Sequence, residues 1–444
     1  PMTRISIVSL RSVPPEIKDL GRMIGCTRRQ MTWRVLVPSA RPGLMVGVNQ
    51  VIMLSLNMVI IASMIGAGGL GYEVLAALRR LDIGTGFEAG FAIVALAIAL
   101  DRLSQAYAAR SRQHSGDDDQ QLPVWRRYPY SLSAVALIAV TFVLGLGSAA
   151  FQSYPPAAEI STGTFWGDIL RWININFFDQ LEGLKNALLL NLLIPFKRFL
   201  LDLPWLGVAA LLALAGWSLG RWRLAATVAA LAFLIAATGQ WEKAMITVYL
   251  CGISVVLAGL IGIPIGILSA ERERVWRFVR GVIDTLQTLP SFVYLMPAVM
   301  LFRVGDFTAM LAVIAYAISP AIRYTAHGLQ RIDPQLVEAG TVAGCTPIQL
   351  LFKIKLKLAL PAIMLGLNQT IMLALSMLVI TALVGTRDLG QEVYIALTKA
   401  DTGRGLVSGL AVAFIAIIAD RLISAGAAKT RARLGLSPGA GDET

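Results

Sequence analysis

The sequence predicts an all-α integral membrane protein of about ten spans, arranged as a parallel repeat, and three observations predict it. First, 56% of the 444 residues are hydrophobic and only 15% are charged, with a mean hydropathy of +0.68, whereas a soluble domain carries about 25% charged residues. Second, stretches of about 20 apolar residues, enough to cross a hydrocarbon core roughly 30 Å thick, recur along the whole chain. Third, the chain resembles itself at one fixed offset. The excess of 39 Lys and Arg over 27 Asp and Glu, a net charge of +12, is read in such a chain as cytoplasmic loop charge and not as a nucleic-acid footprint. Three cysteines without a paired short spacing and two histidines leave no zinc site and no disulfide framework.

The ten expected spans lie near 42–66, 87–103, 131–152, 204–220, 223–240, 245–269, 284–303, 307–325, 360–384 and 405–423. Arg11, Lys18, Arg22, Arg28, Arg29 and Arg34 precede the first, and Arg272, Arg274, Arg277 and Arg280 lie between the sixth and seventh. Alternation then puts Arg221, Arg223, Lys353, Lys355, Lys357, Lys429, Arg431 and Arg433 on the same side, so that both termini are cytoplasmic. Phe165, Ile169, Trp172 and Phe177 recur at helical spacing among Asp168, Arg171 and Asp179, the pattern of an interfacial helix over 165–181. Residues 109–130 are polar and charged and read as a cytoplasmic linker. The expected organisation is a first unit over 1–108, this linker, a second unit over 131–430 and a cytoplasmic tail over 431–444.

The offset is 319 residues, without a gap. Gly25-Cys26-Thr27 falls on Gly344-Cys345-Thr346, Asn49-Gln50 on Asn368-Gln369, Leu70-Gly71 on Leu389-Gly390 and Asp101-Arg102-Leu103 on Asp420-Arg421-Leu422. Eight spans separate matching helices, an even number, so the copies share one orientation. That parity disfavours the inverted repeats of many secondary carriers. Pro1 falls on Pro320, inside the eighth span, so the first copy is expected to begin within a helix and to hold only the C-terminal part of a unit.

Between the eighth and ninth spans the chain reads Asp333-Pro334-Gln335-Leu336-Val337-Glu338-Ala339-Gly340, then Gly344 and Pro347. Two short helices broken at Gly344 fit this stretch. Glu338-Ala339-Gly340 with a glycine four residues later resembles the coupling loop of ABC importer permeases. Thr288-Leu289-Pro290-Ser291-Phe292-Val293-Tyr294-Leu295, Ser319-Pro320-Ala321-Ile322-Arg323-Tyr324-Thr325 and Asn368-Gln369-Thr370 through Leu375-Ser376-Met377 are similar to the glycine betaine/proline permease subfamily. The resemblance covers about 243–424. It implies a type I ABC importer transmembrane domain in a bacterial inner membrane, two permease units fused in one chain and partnered by an ABC ATPase subunit, an extracytoplasmic substrate-binding protein and membrane lipid. A second copy of the permease is a further candidate partner. The loop would dock on the ATPase, with Gly340 at a close surface that admits no side chain. The first copy carries Asp19, Leu20, Gly21 and Gly25 at the matching places.

Asn49, Gln50, Asn368 and Gln369 sit a third of the way into a span, where a polar group without a partner costs several kcal/mol. They line a substrate path or make interhelical hydrogen bonds. Gly66-Ala67-Gly68-Gly69-Leu70-Gly71 satisfies a dinucleotide-binding spacing, but it follows a membrane span and its second copy loses the middle glycine, so it reads as a turn. No Walker A sequence is present, so ATP and Mg belong to another subunit and this chain carries no cofactor and is not itself an enzyme. Trp166, Trp172, Trp205, Trp222 and Trp241 lie near span ends and read as an aromatic belt.

The sequence thus reads as the permease of an importer for glycine betaine, proline betaine or choline-like methylated amines, whose aromatic cage would lie in the binding protein. Trimethylamine N-oxide, amino acids and polyamines are the alternatives within the class. The rival from another class is an ion-coupled carrier, which needs ionisable groups inside the membrane. Asp284 and Arg323 are the nearest candidates, and neither has an obvious partner in sequence.

Overall fold

The computed structural model describes residues 2–80, 82–113, 129–147, 161–288 and 291–435, and among these it contains helices and turns and no strand. By internal packing the chain separates into two units, Pro1–Met58 with Phe91–Trp166, and Val59–Gly90 with Gly167–Thr444. The expected linker lies for the most part outside the described residues, as does most of the tail.

In the first unit α1 (Met2–Arg11) and α2 (Pro15–Met23) precede α3 (Val37–Met64). Glycines set the approach of α1 to α3. A Cβ on Gly43 would stand 2.8 Å from Ser9 Cβ, and one on Gly47 would stand 2.8 Å from Met2 Sδ. Small residues of this kind let helix backbones come close where hydrocarbon gives no hydrophobic drive for association. Next along the chain come α4 (Leu70–Arg80), which belongs to the second unit, α5 (Ile83–Gln113), α6 (Pro129–Gly147) and α7 (Gly163–Leu188). The interfacial helix expected over 165–181 lies within α7, which bends at Phe177 (φ −119°, ψ 15°) and leaves Phe165, Trp172, Ile175 and Phe178 exposed.

The second unit continues through α8 (Ile194–Asp202), α9 (Trp205–Ala237), α10 (Trp241–Glu271), α11 (Glu273–Thr288), α12 (Leu295–Phe302) and α13 (Asp306–Gln330). It closes with α14 (Pro334–Val342), α15 (Leu356–Thr381), α16 (Leu389–Lys399) and α17 (Thr402–Arg433). Among the described residues, five helical stretches are long and apolar enough to cross a membrane: Trp205–Ala237, Trp241–Glu271, Asp306–Gln330, Pro347–Val384 and Thr402–Arg433. Gly84–Leu100 and Leu132–Gly147 are shorter apolar helices. Within α9 the backbone leaves helical geometry at Gly220 and Arg221. A Cβ on Gly216 would stand 2.9 Å from Ala225 Cα, so the chain doubles back there and the two arms coincide with the spans expected at 204–220 and 223–240.

The single span expected at 284–303 is a correction. The amphipathic α11, carrying Arg280 and Asp284, ends at Thr288, and a 3-10 turn over Ser291–Tyr294 leads into the eight-residue α12. The expected span had joined a charged helix to a short apolar one.

The core is built on small residues. Gly262 and Gly266, one turn apart on α10, face Ala321 and Thr325 of α13, where added Cβ atoms would stand 2.9 and 2.7 Å from side-chain carbons. Gly328 and Gly366 likewise bring α13 against α15 at Ala362 and Tyr324. A separate apolar cluster is formed by Val228, Ala232, Ile235, Ala244, Leu389, Ala411 and Ile418.

The offset of 319 reappears in the architecture. Pro15–Met23 and Pro334–Val342 correspond end to end, as do Leu70–Arg80 and Leu389–Lys399. Two π-helical turns, Met31–Leu36 and Leu350–Lys355, stand at matching places before α3 and α15.

Candidate functional site

Two loop helices carry the residues singled out for coupling. Asp333 caps α14 by accepting the Gln335 N–H at 2.9 Å. The helix stops at Gly344, whose φ of +80° favours glycine. Thr346 and Gln349 then form a reciprocal capping box, and the backbone widens into the π turn. Glu338, Ala339 and Gly344 are exposed, whereas Gly340 is buried. A Cβ on Gly340 would stand 2.5 Å from Ile354 Cδ1 and 2.8 Å from Leu350 Cδ1. Gly340 therefore seats α14 on the π turn of its own chain and does not form an outer surface. The outward groups are Glu338, Ala339 and Val342, the last 89% exposed.

The first copy repeats this construction. Asp19 is exposed and pairs with Arg22 at 3.0 Å, Gly21 is buried with Met31 Cε 2.8 Å from its would-be Cβ, and Gly25 has φ +79°. Thr27 and Gln30 form the same capping box. Leu20, Met23 and Ile24 point outward, Met23 being 85% exposed.

The amides inside the spans separate into two kinds. Asn368 is buried and donates from Nδ2 to Asp420 Oδ1 of α17 at 2.7 Å, which is an interhelical bond. Gln369, one residue on, is exposed and lines a cleft of about 650 Å³ with Arg323, Tyr324, His327, Arg331 and Arg431. Gln50 is exposed, and the side chain of Asn49 lies outside the described residues. Asp420 is a functional candidate that the sequence reading passed over, although the repeat had paired it with Asp101. Asp284 and Arg323, without evident partners in sequence, are partners of each other at 2.6 Å, with Arg280 3.7 Å from the same carboxylate.

At the end of α15 opposite α14, Glu392 of α16 is buried between Lys243 and Arg404. The hydrogen bond from Arg404 holds its carboxyl below the ordinary glutamate range, with Lys243 adding to the effect. Asp388 is fully buried and caps α16 by accepting the Gln391 N–H at 3.0 Å. Burial pushes its carboxyl up to about 6 against the opposing hydrogen bonds from Gln391 and Thr386. Arg79 of α4 donates to Tyr394 of α16 at 2.9 Å, so matching helices of the two copies touch within the second unit.

Comparison with known proteins follows the same outline. The pattern of the family described as binding-protein-dependent transport system inner membrane component matches residues 1–113 and 262–431. A trimethylamine N-oxide transport system permease protein of Pelagibacter ubique is 39% identical over 98% of this chain and 62% of its own length. One of the same description from Ruegeria pomeroyi is 36% identical over 98% of this chain and 66% of its own length. A glycine betaine/proline betaine transport system permease protein of Escherichia coli is 35% identical over 59% of this chain and 74% of its own length. The chain thus spans less than two thirds of the length of the trimethylamine N-oxide permeases it resembles.

Proposed function

The chain belongs to the family of binding-protein-dependent transport system inner membrane components, and from that premise we propose that it is the permease of an ATP-driven importer for trimethylamine N-oxide. As a member of that family it is a multi-pass inner membrane protein and a non-catalytic component of its transport system. The coarser reading, a quaternary amine permease, rests on likeness to both groups of relatives. One observation favours trimethylamine N-oxide over glycine betaine, proline betaine or choline. Likeness to the trimethylamine N-oxide permeases extends over 98% of the chain and so takes in 114–261, which the family pattern leaves uncovered. Likeness to the Escherichia coli betaine permease stops at 59%.

In this reading α2 and α14 are the two points at which separate ATPase subunits push. ATP with Mg on those subunits supplies the free energy of the cycle. The buried Gly21 and Gly340 lock each loop helix onto its π turn, so that a displacement of the loop is carried into α3 and α15 without being absorbed at a hinge. Cargo arrives from an extracytoplasmic binding protein. The inward-open and outward-open states differ in population according to what binds each of them. The two copies, alike in the helices Pro15–Met23 and Pro334–Val342 and in Leu70–Arg80 and Leu389–Lys399, provide the paired units of one importer, and Arg79 with Tyr394 is one contact of that pairing. Uptake of labelled trimethylamine N-oxide and glycine betaine, by cells lacking other amine importers and supplied with the complete system, tests the reading. Preferential, binding-protein-dependent uptake of trimethylamine N-oxide is expected. Preference for glycine betaine would reassign the cargo.

A further inference from the structure

Between Gly366 and Thr381 of α15, the exposed residues are Gln369 and Ser376. Seven residues separate them, two helical turns, so they share one face. At this depth an exposed polar face is not turned to hydrocarbon; it meets water or protein. The first copy carries Gln50 and Asn57 at the matching positions, so both copies keep this face polar. Gln369 opens onto the cationic cleft at one end. At the other end Tyr316 neighbours Ser376, whose own proton goes to the Leu373 carbonyl at 2.7 Å. Tyr316 and Tyr294 are both half-buried, with ring centroids 5.8 Å apart and planes at 64°. Tyr316 lies ten residues into α13, about 15 Å along the helix at 1.5 Å per residue, which is near the middle of a core roughly 30 Å thick.

A trimethylated ammonium group has no N–H to donate, and protein holds it through the faces of aromatic rings. Two inclined rings beside a hydroxyl-bearing face are a fit for such a group. We propose that Tyr294 and Tyr316, with Ser376, form a transit site inside the permease for the methylated ammonium group of the cargo. The sequence reading had confined aromatic capture to the binding protein and had considered only tryptophans at span ends. This inference rests on the methylated-amine reading.

The test uses the full-length permease with its ATPase and binding protein. Position 316 is changed to Phe and then to mono-, di- and trifluorinated phenylalanines, which keep the ring's shape while draining its face of electron density. Trimethylamine N-oxide uptake is expected to fall stepwise with each fluorine, reaching about tenfold below Tyr316→Phe, the factor that 1.4 kcal/mol corresponds to, with ATPase co-purification unchanged. Equal uptake across the series would overturn the transit site while leaving the cargo assignment standing. Failure of the unsubstituted system to take up any methylated amine would overturn both.

Discussion

The two copies share a backbone plan and differ in chemistry, and the difference separates what a loop needs to exist from what it needs to act. Matching bounds, glycine dihedrals of +79° and +80° at Gly25 and Gly344, and paired capping boxes give α2 and α14 one construction. Their outer faces diverge. The first presents Leu20, Met23 and Ile24 where the second presents Ala339, Val342 and Ala343. At the far ends of the long helices the second copy has Asp388, Glu392 and Arg404, where the first has Gly69, Glu73 and Thr85. The second copy thus carries the buried ion network, and the first presents the bulkier apolar outer face.

The largest expected effect comes from filling the two loop glycines. Gly340→Leu collides with Leu350 and the β-branched, stiff Ile354, and overpacking of this kind costs about 1–3 kcal/mol. Uptake is expected to fall at least tenfold, with loss of ATPase co-purification. Gly21→Leu meets the flexible Met31 and is expected to fall less. Equal effects, or none at Gly340, would dissolve the distinction drawn between the copies.

Next in size is Asn368→Leu. It strands the half-buried Asp420 without its interhelical donor, at a cost of roughly 1–3 kcal/mol, and is expected to lower the melting temperature in detergent. A melting temperature unchanged from the parent would show that the pair contributes nothing to α15–α17 packing.

The smallest expected effect is in pH dependence, and it belongs to the second copy alone. Because burial raises the Asp388 carboxyl to about 6 in the folded chain from about 3.9 unfolded, the folded state holds its proton longer. Stability contributed by this group is full below the unfolded value and is lost as pH rises through about 6. Glu392 acts with opposite sign, since its lowered folded value withdraws stability as pH falls below the ordinary glutamate range. Asp388→Asn should therefore flatten the loss of stability between pH 4 and 6 relative to the parent. Parallel melting curves for the two proteins would show that Asp388 does not titrate in that window.

Much of this was legible in the sequence for physical reasons. Apolar length reports spans because hydrocarbon tolerates little else, and the offset of 319 paired the stretches that form α2 and α14, because equal backbones need equal caps and turns, whereas α4 and α16 were not read as helices. Interruptions of helices were less legible. The turn at Gly220 and Arg221 was foreseen from charge, while the division between α11 and α12 was hidden because hydropathy averages over a window that holds both. The Asp284–Arg323 and Asn368–Asp420 pairs join residues far apart in sequence and became visible once α13, α15 and α17 were packed. Ser376 escaped because a lone hydroxyl bonded to its own helix carries no signal in one copy, although Asn57 in the other would have marked it.

Trimethylamine N-oxide uptake into vesicles holding the full-length permease and its ATPase, with binding protein outside, tests the central claim most directly when ATP inside is compared with an imposed ion gradient. The account predicts uptake that requires both ATP and binding protein and is indifferent to the gradient. Uptake driven by the gradient in the absence of ATP would contradict it.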